Sequence, residues 1–64
     1  MTTAEIIRKL RKKLKLTQDQ FAEKVNTTQP YISNLENNRV DISIKKLNKY
    51  CKMLGVEGFA IIFK

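Results

Sequence analysis

The sequence predicts a mainly α, compact four-helix domain, followed by a single β-strand at the C-terminal end. Three observations predict it. Only two glycines and one proline punctuate 64 residues, so most of the chain is free to be regular. Apolar residues recur three and four apart over most of the chain, and the runs begin at Thr or Ser. The last stretch changes character, with Phe, Ile and Val crowded together. A chain of this length supports one domain, residues 1–64.

The first helix is expected over about 3–15, with Ile7, Leu10 and Leu14 as its buried stripe. Arg8, Lys9, Lys12 and Lys13 fall outside that stripe and read as a solvated face. The second helix, about 17–25, has clear start signals. Thr17 is the cap, Gln20 completes a capping box, and Leu16 with Phe21 forms a hydrophobic staple. Phe21, Ala22 and Val25 make its inner face. Asn26 ends it, because Asn tolerates the left-handed turn required there.

The third helix, about 28–37, is capped by Thr28, with Pro30 in its first turn, where a missing N–H costs nothing. Ile32 and Leu35 face inward, which turns Gln29, Tyr31, Ser33 and Asn34 outward. The fourth helix, about 43–54, starts at Ser43 and stops at Gly55, with Ile44, Leu47, Cys51 and Leu54 as its core stripe. Lys45 and Lys46 in its first turn oppose the helix dipole, so either a small cost is borne or an anion lies nearby. The strand is expected at about 56–63. Nothing in a four-helix domain pairs with it, so it is expected to pair across a homodimer through Val56, Phe59, Ile61, Ile62 and Phe63.

Composition narrows the function. Thirteen Lys and Arg against six Asp and Glu give a net charge of +7, which calls for an anionic partner. No apolar run is long enough for a membrane helix, and no signal core opens the chain. One cysteine and no histidine exclude an internal disulfide and a Cys/His zinc site, so neither cofactor nor metal is expected. Catalysis lacks a base beside Cys51 and a suitably spaced carboxylate pair, so the chain is not read as an enzyme.

Amid this charge, Thr27–Glu36 carries no positive side chain and is rich in amides and hydroxyls. Two capped helices joined by a tight turn at Asn26 are the layout in which the second helix enters the DNA major groove. Base edges there present donors and acceptors that amides and hydroxyls can read, whereas positive charge binds phosphate without discrimination. A neutral reading helix between basic flanks answers both needs.

The stretch "LRKKLKLTQDQFAEKVNTTQPYISNLENNR", with "LGV" further on, resembles the phage repressor and Cro type of helix-turn-helix domain, the XRE family, from about Ile6 to Val56. The resemblance implies that Thr28, Gln29, Tyr31, Ser33 and Asn34 read bases. Position 30 departs from this, since Pro30 could offer only an apolar contact, as to a thymine methyl. It implies backbone contacts from Gln18, Asn37, Asn38 and Arg39, to which Lys45 and Lys46 would add phosphate contacts. It also implies a structural ion pair of Arg11 with Glu36 that fixes the reading helix. Asn26 and Asn38 stand where the family usually has Gly.

The expected function is therefore a cytoplasmic, nucleoid-associated, dimeric repressor on a double-stranded, near-palindromic operator, with half-sites about 34 Å apart. The alternative within this class is an antitoxin with a toxin as its partner. The domain and strand use nearly the whole sequence, which favours the plain repressor. A protein-interaction module of the same fold and a membrane-active basic helix built on "IIRKLRKKLKL" are the readings from other classes.

Overall fold

A computed structural model describes residues 2–56. Among them are four helices: α1, Thr3–Lys13; α2, Gln18–Lys24; α3, Gln29–Glu36; and α4, Ile44–Met53. None exceeds 11 residues. Isolated helices shorter than about 12–15 residues are marginal in water, so their stability must come from packing on one another.

All four start in the same way. Thr2, Thr17, Thr28 and Ser43 sit at the caps in extended backbone, and each hydroxyl accepts from the N–H three residues on. The box at α2 is reciprocal, since the Thr17 N–H also donates to Gln20 Oε1 at 2.9 Å.

All four also end in the same way. Lys15, Asn26, Asn38 and Gly55 have φ of +57°, +60°, +60° and +76°. The next residue in each case, Leu16, Thr27, Arg39 or Val56, donates its N–H back five residues, to Arg11, Ala22, Asn34 or Cys51. This double-bonded reversal satisfies carbonyls that the helix end leaves open. It also shortens α1 relative to the expected 3–15, because Lys15 itself takes the left-handed place.

The core is formed by Ile6, Ile7 and Leu10 of α1, Phe21, Ala22 and Val25, Ile32 and Leu35 of α3, Ile42, and Leu47, Tyr50 and Cys51 of α4. Helix α3 packs on both α1 and α2. Phe21 is fully buried and meets Tyr50 edge to face, with ring centroids 6.4 Å apart.

One expectation about α4 changes. Ile44 is 61% exposed rather than part of the stripe, whereas Ile42 and Tyr50 are buried. Helical Cβ atoms lean toward the N-terminus, so a side chain at the first helical position overhangs the end of the helix. Ile42, just before the cap, fills the space and shares the core with Leu47, the fourth helical residue, in a staple arrangement. Leu14 and Leu54 are only partly buried. Of the expected strand, Val56 lies outside any regular element, is half-buried against the core, and closes the end of α4. Phe59, Ile61, Ile62 and Phe63 lie outside the described residues.

Candidate nucleic-acid interface

The site begins with the capping chemistry. Gln18 and Gln29 are each the first residue of a helix, directly behind a threonine cap. The turn between α2 and α3 brings the two together, and Gln29 Nε2 donates to Gln18 Oε1 at 2.7 Å. The start of α3 is thereby tied to the start of α2. One residue expected on the DNA backbone thus meets one expected on a base.

The outer face of α3 carries Pro30, Tyr31, Ser33 and Asn34, with Thr28 at its cap, and none of these is buried. The Thr28 hydroxyl is committed to the cap, accepting from the Tyr31 N–H at 3.4 Å. Asn37 Nδ2 donates to Ser33 Oγ at 3.3 Å, joining the end of the helix to its outer face. Asn37, Asn38 and Arg39 follow α3 and are all exposed, as is Lys45.

Lys46 is differently placed from Lys45. Its Nζ donates to the Tyr31 hydroxyl at 3.3 Å and stands 4.9 Å from the Tyr31 ring centroid and 6.0 Å from that of Tyr50. The hydrogen bond to Tyr31, and then the charges of the two phenols, push the Lys46 pKa up. This ammonium couples the start of α4 to the outer face of α3.

The inner side of α3 is anchored by ion pairs. Glu36 is 4% exposed. Arg11 donates to it twice, Nε to Oε2 at 2.7 Å and Nη2 to Oε1 at 3.0 Å, and its Nη1 donates to the Leu16 carbonyl at 3.0 Å. The Glu36 hydrogen bonds hold the guanidinium above its ordinary pKa, against the opposing effect of burial. Arg8, read from sequence as solvated, donates to the Glu36 carbonyl at 2.7 Å and lies 3.8 Å from its carboxylate. Its signal was the three-residue spacing from Arg11, which puts both on one face of α1.

The assembly is a short polar surface on a firmly held helix, with cations at its margins. It offers hydrogen-bond donors and acceptors to an edge laid against it. Among the described residues there is no cluster of His, Cys, Asp or Glu that could hold a metal ion, and no helix is long and apolar enough to cross a membrane.

Comparison with known proteins adds two findings. A family model described as helix-turn-helix matches residues 7–59. The immunity repressor protein of Bacillus phage phi105 is 37% identical over 62 residues, covering 97% of this chain and 43% of that protein. The chain therefore spans less than half the length of this relative. No solved structure gives a significant match.

Proposed function

The chain belongs to the XRE-type helix-turn-helix family, and from that premise we propose that it is a DNA-binding transcriptional repressor whose α3 reads base edges in the major groove. The observation that carries the reading is the Gln18–Gln29 hydrogen bond. It fixes the first residue of α3 against α2, while Pro30, Tyr31, Ser33 and Asn34 stay accessible on the outer face. Gln29, Tyr31, Ser33 and Asn34 supply base contacts, with Pro30 apolar among them and Thr28 at the rim. Gln18, Asn37, Asn38, Arg39 and Lys45 hold phosphates, which sets register without reading sequence. Repression is supported by the phage immunity repressor relative.

We further propose that the working form is a homodimer on an inverted repeat, as the apolar stretch 56–63 suggests. The named relative is a repressor, which favours the repressor reading over the antitoxin one. The test is selection from a random duplex pool at moderate salt. An enriched inverted repeat with half-site centres about ten base pairs apart supports the reading helix and the dimer together. A single enriched half-site keeps the reading helix and removes the dimer. Binding without enrichment removes sequence reading.

A further inference from the structure

Helix α4 carries four lysines and no acidic residue. Lys45, Lys49 and Lys52 follow one another at spacings of four and three, so they share a stripe about 10 Å long. Like charges at this spacing repel. Among the described residues none of the three forms an ion pair. An anion laid along the stripe would relieve the repulsion.

The stripe borders an open groove of about 740 Å³ between α4 and the turn that joins α2 to α3. No carboxylate lines it. Its walls are not purely polar, because Met53, 43% exposed, contributes, above a floor made by the buried Val25 and Tyr50. A track for DNA phosphates needs cations but no apolar wall. A rim of lysines over apolar side chains suits a ligand with carboxylates and one or two apolar anchors.

We propose that this groove docks an acidic protein segment bearing an apolar anchor, and that its occupant displaces DNA. The anchor packs on Met53 while carboxylates meet Lys45, Lys49 and Lys52. Displacement follows from shared parts. Lys46 lines the groove and holds Tyr31, and Thr27 lines the groove and precedes the cap of α3. The displacement rests on the reading of α3 given above, whereas docking itself does not.

The test uses the full chain, labelled with nitrogen-15, and a synthetic peptide of glutamates around one Leu and one Phe. The expected result is amide shifts confined to Asn26, Thr27 and Lys45–Met53. Binding should weaken by about tenfold or more when the glutamates become Gln, when Leu and Phe become Ser, or in a Lys49→Gln/Lys52→Gln variant. Equal binding of the Ser peptide, or shifts spread over the basic face of α1, overturns the proposal by reducing it to general charge attraction. Larger shifts at Lys49 and Lys52 from a random-sequence duplex than from the peptide overturn it in favour of a phosphate track. A separate competition follows release of a labelled, pool-selected duplex by the peptide. If no duplex is selected, the reading of α3 fails, while the peptide titration still decides docking.

Discussion

Arg11 and Glu36 lie 25 residues apart in sequence and meet side by side through two hydrogen bonds of 2.7 and 3.0 Å. They join α1 to the last residue of α3 across the back of the candidate reading surface. The carboxylate is almost fully buried and has no water as a substitute partner, while the guanidinium is mostly shielded. Removing one member of such a pair costs more than the pair itself contributes, since the other charge is left stranded. Glu36→Ala should lower unfolding free energy by about 3 kcal/mol, measured by urea denaturation. The double variant Arg11→Met/Glu36→Met should recover part of that loss. Arg8→Ala should cost much less, because Arg8 is about half exposed.

The Lys46–Tyr31 contact predicts a coupling visible in sequence preference. Lys46→Met should relax the preferred base pair that Tyr31→Phe also relaxes, and the two changes together should add little further. The salt dependence of binding should remain that of the parent. A slope of log affinity against log salt that falls by about 0.9 would instead put Lys46 on a phosphate.

Lys15 is the sole residue of the four helix ends that is neither Gly nor Asn. A left-handed conformation costs an ordinary residue roughly 1–2 kcal/mol, which Gly avoids, though Gly loses more freedom on folding. Lys15→Gly should therefore raise Tm by a few degrees, and Lys15→Val should lower it. Asn26→Gly and Asn38→Gly should do less, since Asn already tolerates the turn. Thermal melts followed by circular dichroism check the order.

Tyr50 and Cys51 are adjacent core residues, and burial pushes both pKa values up, the phenol from its usual 10.0 and the thiol from 9.0. For the phenol, Lys46 pulls in the opposite direction. A raised folded pKa means the folded state keeps the proton that the unfolded chain releases. The stability is full below the unfolded pKa and is lost as pH rises through the folded one. The urea midpoint should be flat near neutrality and fall above about pH 9, less steeply in Cys51→Ala. A midpoint that rises there contradicts the assignment.

Local chemistry was the most legible part of this chain. The caps at Thr17, Thr28 and Ser43 and the stops at Asn26 and Gly55 each depend on a few neighbouring residues, and sequence carries that information. Lys15 gave no such signal, because nothing about a lysine marks a left-handed position; Leu14 and Leu16 on either side of it pack against the core. Periodicity misassigned Ile44 for a related reason. It counts only positions within a helix, and the space was taken by Ile42, which precedes the helix. Tyr50 was passed over because a phenol fits either face.

The candidate site divides in the same way. The outward face of α3 followed from the inward positions of Ile32 and Leu35. The Arg11–Glu36 pair spans too much sequence to be read from spacing, and it was expected through family resemblance alone. The bonds from Gln29 to Gln18 and from Lys46 to Tyr31 join residues that had been read singly. Only the turn between α2 and α3 and the approach of α4 bring them together.

The central claim is that α3 reads sequence through Gln29. It is tested most directly by comparing the affinity of the parent chain and Gln29→Ala for the pool-selected duplex and for a scrambled one, at one salt concentration. A base contact is worth about 1–3 kcal/mol of discrimination, so the ratio of the two affinities should fall roughly 5- to 150-fold in Gln29→Ala. Affinity for the scrambled duplex should stay close to that of the parent. An unchanged ratio, or an equal loss on both duplexes, would contradict the claim and leave Gln29 a phosphate contact or none.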